Sequence, residues 1–314
     1  MKLTAENLQR RWNDIYSKDG GFLPIETDHP LEWYIGYQSV WKRTLLILCD
    51  VEVGEIEFSK SIIVNRRRRI ETDNRWAITI ELLFDEQEEV FSIFCCDLID
   101  YSSTATNEKE AMALVIKRYK QWSQLLESKK SGLMDEKNRK GLLGELLFLD
   151  QSADKYGPII AIRGWVGPEG ADQDFMYNDG WYEIKSIGAS AKTVTISSLE
   201  QLDCLDYGEL VIMRIEKVAP DRSGGISLND AIRQIEEKIS EDDDALELFK
   251  TKLITYGYIN VREYSEQKYQ LQSMQCYCVD SSFPRFTKKS VPSQIVSIQY
   301  DLDIPSLEKW QKRR

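Results

Sequence analysis

The chain has 314 residues, of which 42% are hydrophobic, 11% aromatic and 30% charged, a balance typical of a soluble globular protein with room for two modest domains. No apolar run approaches the roughly 20 residues that a membrane-spanning helix requires. The first residues also lack the apolar stretch of a secretory signal. Six cysteines without paired metal-type spacing indicate buried free thiols and a reducing cytoplasm. We therefore expect a cytoplasmic protein with no membrane partner.

The net charge of −11 argues against an autonomous protein that binds DNA tightly. Proteins that bind nucleic acids usually carry a basic face, because neutralising phosphates releases condensed counterions. Charge can be segregated over a surface, so an acidic total still allows local contact. If this chain binds DNA, we expect the contact to be local or a partner subunit to supply much of the affinity.

The N-terminal part of the sequence predicts a helix followed by strands. A helix is expected after Thr4, a plausible N-cap, and an aromatic-rich loop is expected through residues 33–37. Alternating apolar residues separated by short polar turns then predict a small antiparallel sheet from residues 44–53, 61–69, 76–84 and 90–98.

The rest of the sequence alternates between helical and strand-like segments. Helical spacing predicts helices over residues 107–129, 135–155, 228–240 and 243–253, with a short helix near 198–205. Strands are expected near residues 159–163, 172–177, 181–187, 210–215, 270–279 and 295–300. The break near residue 131 predicts an N-terminal β-rich domain over residues 1–130 and an α/β domain over residues 131–314.

Glu145 lies in the middle of a segment, residues 141–149, that is apolar on nearly every side of a helix. Such a helix is usually buried, and an isolated buried carboxylate is unfavourable. We therefore expect a cation near Glu145, either a metal ion or a lysine or arginine. A purely structural ion pair is the alternative.

A predicted hairpin brings further acidic residues together. Asp172 and Asp174 alternate with other residues, so a strand would place both on the same side. The tight turn Asn-Asp-Gly at residues 178–180 then returns the chain. On the returning strand, Glu183 and Lys185 share one face. The hairpin therefore places Asp174 close to Glu183, with Lys185 one step further along.

These residue types suit hydrolysis of a phosphodiester bond. The carboxylates of Asp174 and Glu183 and the main-chain carbonyl of Ile184 are oxygen ligands of the kind that Mg²⁺ prefers. A metal ion there can polarise a phosphate and lower the pKa of a water molecule. Lys185 can orient that water or stabilise the charge that develops on the phosphate.

The Glu-x-Lys pattern alone has little specificity, because the chain contains it at four places. The pairs at residues 127–129 and 236–238 fall in helical segments, where positions i and i+2 face different ways. The pair at residues 266–268 has no acidic strand joined to it by a short turn. Only Glu183 and Lys185 have both the acidic strand and a preceding apolar helix that carries a glutamate.

The order of a helix with Glu, a strand with Asp, a strand with Glu-x-Lys, a helix and a strand resembles the PD-(D/E)xK superfamily of restriction-endonuclease-like folds. The segments Gly-Leu-Leu-Gly-Glu-Leu, Gly-Trp-Val-Gly-Pro, Asp-Phe, Glu-Ile-Lys-Ser and Glu-Gln-Leu more closely resemble a bacterial PD-(D/E)xK family. Members of that family are found in defence gene clusters beside a DNA methyltransferase and ATPase or helicase-like proteins. The resemblance is strongest over residues 135–215 and is only general over the first 100 residues.

The resemblance implies an α/β (α+β) fold, in which a mixed sheet flanked by helices follows an N-terminal β-rich domain. It also implies a Mg²⁺-dependent DNA endonuclease, with Mn²⁺ as a substitute metal, in a restriction-modification or phage-defence system. A homodimer and RNA as the substrate are both compatible with it. The alternative function is a non-catalytic subunit that binds DNA or assembles a defence complex.

Carried over residue by residue, the resemblance makes Asp174 and Glu183 metal ligands and Lys185 the catalytic lysine. Glu145 becomes the helix acid that completes or supports the metal site. Gln201, on the helix expected after the Glu-x-Lys strand, becomes a polar residue near the site. One departure from the superfamily pattern is Gln173, which stands where a proline is expected before the aspartate.

The strongest basic run is Arg66, Arg67, Arg68 and Arg69 at the end of a predicted strand. One interpretation is contact with DNA phosphates, or with a partner. Alternation along a strand points at most two of these arginines the same way. A solvated strand end that faces the acidic residues 85–89 is therefore the alternative.

Overall fold

The structure is a computed structural model that describes residues 3–15, 21–39, 42–54, 62–83, 88–127, 133–204 and 207–312. The chain divides into two compact units, Met1–Leu133 and Met134–Arg314, here called the N-terminal and C-terminal units. The predicted boundary at residues 130 and 131 lies outside the described residues. Within those described ranges, we find no helix with the length and apolar character needed to cross a membrane.

In the N-terminal unit, the described strands form an antiparallel sheet in the order β1-β2-β3-β5-β4. These strands are β1 (Phe22–Ile25), β2 (Glu32–Ser39), β3 (Lys42–Cys49), β4 (Ile62–Arg68) and β5 (Trp76–Leu82). Leu45 and Ile47 on β3 and Ile78 on β5 are fully buried, so one face of the sheet forms the core of this unit. The predicted antiparallel sheet is confirmed.

Three helices complete the described part of this unit: α1 (Ala5–Asn13), α2 (Glu88–Ser102) and α3 (Glu108–Glu127). The Thr4 side chain accepts a hydrogen bond from the backbone N–H of Asn7 at 3.2 Å, which confirms the predicted N-cap of α1. The predicted helix over residues 107–129 is confirmed as α3.

Two predictions in this unit are wrong. Residues 90–98, predicted as a strand, lie in α2, whose buried side chains include Phe91, Phe94, Cys95 and Leu98 at helical spacing. The helix is buried on several sides, and its apolar run hides the 3.6-residue period. Residues 33–37, predicted as a loop, belong to β2, because the aromatic side chains alternate between the two faces of the sheet.

The C-terminal unit contains a mixed sheet, as predicted, whose described strands are ordered β10-β11-β9-β7-β6. Strands β7 and β9 are parallel, and the other neighbours are antiparallel. The bounds are β6 (Phe175–Tyr177), β7 (Gly180–Ile187), β9 (Gly208–Val218), β10 (Ile226–Ser227) and β11 (Lys268–Val279). The parallel pair at the centre places the glutamate-bearing β7 inside the sheet.

Helices and a second small sheet cover the two faces of this sheet. The helices are α4 (Glu136–Tyr156), α5 (Pro158–Gly164), α6 (Leu228–Lys238), α7 (Asp243–Tyr256) and α8 (Glu263–Glu266). Helix α4 packs on β7, where a side chain at Gly144 would place its Cβ 2.1 Å from Ser186 Oγ. On the opposite face, Trp181 and Leu210 pack with residues of β8 (Thr193–Ile196) and β12 (Tyr300–Asp303), which pair with each other.

Three further predictions need correction. Residues 159–163 form helix α5 rather than a strand, because Gly157 and Pro158 begin a helix there and Pro occupies its first turn. The strand expected at residues 295–300 begins only at Tyr300, and the strand expected at 172–177 begins at Phe175. The helices expected at 135–155, 228–240 and 243–253 are confirmed as α4, α6 and α7, and all six cysteines are free.

Candidate active site

The β6–β7 hairpin brings Asp174 and Glu183 together. Phe175 pairs with Tyr182, so Asp174, the residue before β6, lies at the level of Glu183. The backbone N–H of Ile184 donates a hydrogen bond of 2.7 Å to Asp174 Oδ2. Asp172 is exposed in the turn before the strand, so the two aspartates do not share a face as expected. The local pairing of this hairpin positions Asp174.

Glu183 and Lys185 lie on the same side of β7, as the period of a strand predicts. Lys185 Nζ is 2.8 Å from Glu183 Oε1. The other carboxyl oxygen, Oε2, is buried and has no hydrogen-bond partner in the described structure, although Glu183 is only 1% exposed. Burial, reinforced by the charge of Asp174, raises the pKa of Glu183 to about 8 against the opposing effect of Lys185.

Gln201 holds Lys185 from the other side. Its Oε1 accepts hydrogen bonds from Lys185 Nζ at 3.0 Å and from the backbone N–H of Ser197 at 2.8 Å. The helix predicted near residues 198–205 is wrong, because Gln201 lies in a turn. The reason is competition from side chains: Gln201 accepts from the backbone at Ser197, and Gln173 Nε2 donates to Glu200 O at 2.8 Å.

Gln173, the residue that replaces the expected proline, therefore supports the turn that carries Gln201. Its side chain is 8% exposed and reaches the main chain of Glu200. A proline has no side-chain donor that could make this contact. The departure from the superfamily pattern thus links Asp174, the next residue in the chain, to the turn that positions Lys185.

The Glu145 carboxyl is buried between neutral donors rather than beside a cationic side chain. Its Oε2 accepts from Trp165 Nε1 at 2.7 Å and its Oε1 accepts from Tyr256 OH at 2.8 Å. The predicted cation was a metal ion, a lysine or an arginine; no lysine or arginine of the described residues pairs with this carboxyl, and the metal ion stays a prediction. Burial and the nearby charge of Asp174 raise the pKa of Glu145 well above its usual range, against the opposing effect of the hydrogen bonds from Trp165 and Tyr256.

The donor atoms around Asp174 and Glu183 fit a Mg²⁺ ion. Glu183 Oε2 is an orphaned buried oxygen, and a Cβ on Gly167 would lie 3.2 Å from Asp174 Oδ1 and 3.5 Å from Glu145 Oε2. The glycine thus leaves space beside these oxygens. No group of three His, Cys, Asp or Glu side chains gathers as a metal site in the part of the chain that the structure describes. Two carboxylates with a carbonyl, such as that of Ile184, are sufficient for Mg²⁺, which keeps several water ligands.

Each Glu145 oxygen accepts one hydrogen bond and keeps a second lone pair, so direct ligation of a metal ion by Glu145 stays a prediction. Glu145 borders the space beside Gly167 that Asp174 also borders. Burial raises the pKa of Asp174 to about 6. Three buried carboxyl groups therefore adjoin one another, and each of them resists ionisation.

Sequence reasoning missed three residues that support this site. Trp165 and Tyr256 bind Glu145, and Lys252 donates from Nζ to the main-chain oxygen of Trp165 while its ammonium lies 3.2 Å from Glu169. Lys252 is only 2% exposed, so it fixes the loop that contains Gly167. A buried lysine has no signature in the sequence, since the same helix α7 also carries Lys250, which is exposed.

The structure places the four arginines in the N-terminal unit. Strand β4 ends at Arg68, and Arg69 pairs with Asp73 at 3.0 Å. Residues 85–87 of the acidic stretch proposed to face them lie outside the described residues. Among the described residues Arg69 pairs with Asp73, and the contact expected with residues 85–87 stays a prediction.

A comparison with protein families matches residues 7–305 to the family described as "Putative PD-(D/E)XK family member, (DUF4420)". The match extends over the first 100 residues, where the sequence resemblance was only general. No curated protein and no solved structure matches the chain.

Proposed function

The chain belongs to this PD-(D/E)XK family, and from that premise we propose that it is a Mg²⁺-dependent DNA endonuclease that hydrolyses phosphodiester bonds. The observation that carries the proposal is the arrangement at the end of the β6–β7 hairpin. Asp174 and Glu183 adjoin there, Glu183 has a buried oxygen without a partner among the described residues, and Lys185 is held beside it.

Each side chain has a distinct role in the proposed reaction. Bound Mg²⁺ would supply Lewis-acid polarisation of the scissile phosphate, and Mn²⁺ could replace it. Asp174 and Glu183 would hold the ion together with the carbonyl of Ile184. A lysine ammonium donates three hydrogen bonds, and Glu183 and Gln201 use two of those of Lys185. The third donor would face the attacking water or a phosphate oxygen, where it stabilises the developing negative charge.

Glu145 would contribute to the metal site from helix α4, next to Asp174. Its carboxyl accepts hydrogen bonds from Trp165 and Tyr256, while burial and the charge of Asp174 raise its pKa well above its usual range. It would support the metal site, or complete it as a further ligand through a lone pair that its hydrogen bonds leave free. The biological setting that we propose is a restriction-modification or phage-defence system, with a methyltransferase and ATPase or helicase-like proteins as partners.

The test is cleavage of supercoiled plasmid, methylated and unmethylated, with Mg²⁺ or Mn²⁺. We expect nicking or linearisation that disappears in Lys185→Ala and Glu183→Gln proteins. A charge-matched control is Lys238→Ala, because Lys238 belongs to another Glu-x-Lys pair and binds Asp150 and Asp154 on α4. Cleavage that survives both substitutions would reject the proposed site. A structured RNA of equal length, included in the same assay, tests the nature of the substrate.

A non-catalytic subunit is the second candidate, and the net charge of −11 favours it. An acidic protein gains little affinity for DNA by itself, so it would act within a complex. This candidate predicts DNA retention that decreases with salt and no nicking at any metal concentration. Nicking that depends on Lys185 would eliminate it.

A further inference from the structure

The N-terminal unit has an open groove on the sheet face opposite its core. Residues that pair directly across strands project to the same face, and Tyr34 pairs with Leu46, which in turn pairs with Thr79. Ala77, two residues before Thr79 on β5, pairs with Arg67 on β4. Together with Phe22, Arg69, Arg75 and their neighbours these residues line a cavity of about 430 Å³, here called the arginine groove. This volume is that of a site for a small organic group.

The groove carries a local excess of positive charge. Arg69 and Arg75 each lie 3.0 Å from Asp73, and Arg75 also lies 2.7 Å from Glu32. Arg67 is exposed and makes no hydrogen bond or ion pair with any residue that the structure describes. Three guanidinium groups thus face two carboxylates, and the excess cation is Arg67. An exposed guanidinium in a groove is suited to a phosphate, which it can bind through two parallel hydrogen bonds.

The other groups of the groove suit a flat aromatic ligand. Tyr34 and Phe22 are half-buried at its edge, and Leu46, Leu48 and Ala77 provide an apolar floor. A ring that packs on such a surface can stack on a nucleobase. A base also carries polar groups at its edge, which require a hydrogen-bonding partner when they leave water.

The Thr79 hydroxyl is such a partner. The Thr79 side chain lines the groove and is only 8% exposed. Its Oγ1 is buried and has no hydrogen-bond partner among the described residues. Buried hydroxyl groups are normally satisfied, and an unpaired one is unfavourable by about 1–3 kcal/mol. The groove is therefore lined by a threonine whose hydroxyl has hydrogen-bonding capacity that the described residues leave unused.

We propose that the arginine groove binds unpaired nucleotides of a single-stranded nucleic acid, with a phosphate at Arg67 and a base against Tyr34 and Phe22. A duplex keeps its bases stacked inside, so it could not use the aromatic rings. One excess cation is also a small charge for a duplex, whose affinity depends on neutralising many phosphates. The proposal rests on the proposed function for the choice of a nucleic acid, but the groove belongs to a different unit from Asp174 and Glu183.

The experiment measures the fluorescence anisotropy of a short fluorescein-labelled oligothymidylate with the full chain. The Lys185→Ala background and EDTA prevent cleavage, so binding is measured separately from catalysis. We expect Arg67→Ala to weaken binding about tenfold and to reduce the slope of log K against log salt by about 0.7, the value for one phosphate on a single strand. Arg68→Ala is the matched control, because Arg68 is the adjacent arginine on the other face and its Nε donates to Asn74 O.

Two further substitutions test the base contact. Tyr34→Leu is expected to weaken binding about tenfold, since loss of one stacking ring typically removes 1–3 kcal/mol. Tyr34→Phe keeps the ring and loses only the hydrogen bond to Glu32, so its affinity should stay near that of the parent protein. Thr79→Val, which keeps the shape of the side chain, is expected to weaken binding without lowering the melting temperature.

Four outcomes would overturn the proposal. The first two are no binding of the oligothymidylate and equal losses of affinity in Arg67→Ala and Arg68→Ala. The others are binding of a duplex with the same sensitivity to Tyr34→Leu, and binding of thymidine monophosphate but not of the oligothymidylate. The last outcome would identify a free nucleotide as the ligand instead. If the protein cleaves plasmid but the groove substitutions leave oligothymidylate binding unchanged, only the groove proposal is rejected. Oligothymidylate binding without cleavage by the unsubstituted protein would reject only the nuclease.

Discussion

The three carboxyl groups at the hairpin are held in an environment that favours their protonated forms. Burial is the largest cause in each case: it raises the pKa of Asp174 to about 6 and of Glu183 to about 8, and it raises the pKa of Glu145 well above its usual range. Ionisation of all three groups would create three negative charges, against which Lys185 supplies one positive charge. A divalent cation would supply the missing charge and release protons when it binds.

Mn²⁺ should therefore stabilise the protein more at pH 8 than at pH 6. The carboxyl groups must ionise before they bind the metal. Asp174 loses its proton as the pH rises through about 6, and Glu183 loses its proton as the pH rises through about 8. At a metal concentration one hundredfold above Kd, we expect about 2.7 kcal/mol of stabilisation. Thermal unfolding with Mn²⁺ or EDTA measures it.

Without metal, the pH dependence of stability that arises from Glu183 has the opposite sign. The pKa of Glu183 is higher in the folded protein than its reference value of 4.5, so stability is greatest below about 4.5 and decreases as pH rises toward about 8. Glu183→Gln should flatten this decrease and abolish the Mn²⁺ effect. The control is Glu216→Gln, which removes an exposed carboxyl from β9. An unchanged Mn²⁺ effect in Glu183→Gln would contradict the assignment of Glu183 as a ligand.

Gln173→Leu should lower both stability and cleavage rate. The change removes the hydrogen bond to Glu200 O and leaves that carbonyl without its donor, which is expected to lower the free energy of unfolding by about 1–3 kcal/mol. The turn that carries Gln201 then holds Lys185 less firmly. Urea unfolding and initial cleavage rates measure the two effects. Gln234→Leu, an exposed position on α6, is the control, and equal behaviour of the two variants would reject a role for Gln173.

At the scale of elements, the alignment of β7 with β9 depends on Gly208. Gly208 pairs with Trp181 in the parallel register, and a Cβ on Gly208 would lie 1.9–2.3 Å from three atoms of the Trp181 ring. The ring is fully buried in the core cluster, so it has no space to move into. Because β7 carries Glu183 and Lys185, any shift of this pair displaces the site.

Gly208→Ala should therefore lower the free energy of unfolding by about 1–3 kcal/mol, as overpacked cores do. Gly188→Ala is the matched control, because a Cβ at Gly188 would meet nothing within 4 Å. Denaturant unfolding of both variants measures the difference. A Gly208→Ala protein as stable as the control would show that the β7–β9 packing tolerates an added methyl group.

The elements that the sequence predicted correctly are those whose information is local. Helices α3, α4, α6 and α7 show several turns of apolar periodicity, and the β6–β7 hairpin is specified by its two-residue turn. That hairpin alone predicts the proximity of Asp174, Glu183 and Lys185. The core of the candidate site could therefore be derived without the fold.

The wrong predictions concern short segments whose neighbours decide their structure. The apolar run in α2 and the segment of α5 have the length and composition of strands, and periodicity does not separate the two states over so few residues. The Gln201 turn and the contacts of Trp165, Tyr256 and Lys252 depend on residues far apart in the chain. Such contacts are fixed by tertiary packing, which a single sequence does not display.

At the scale of the whole molecule, the acidic net charge and the proposed binding of nucleic acid are compatible if contact is confined to small regions. The arginine groove has one excess cation, and Lys185 is largely paired with Glu183. Such an arrangement gives weak binding with a shallow salt dependence. We therefore expect efficient cleavage to need help from partner proteins that hold the DNA.

Each unit has its own buried core, which predicts that residues 134–314 fold alone. A fragment beginning at Met134 keeps the Met134 N–H bond to Tyr264 and the Asp135 cap of α4. We expect one cooperative thermal transition by circular dichroism and the same Mn²⁺ stabilisation as in the full chain. Oligothymidylate binding through the arginine groove should be lost. A fragment with no cooperative transition would show that the C-terminal unit needs the N-terminal one to fold, whereas a folded fragment without the Mn²⁺ effect would place part of the metal site outside residues 134–314.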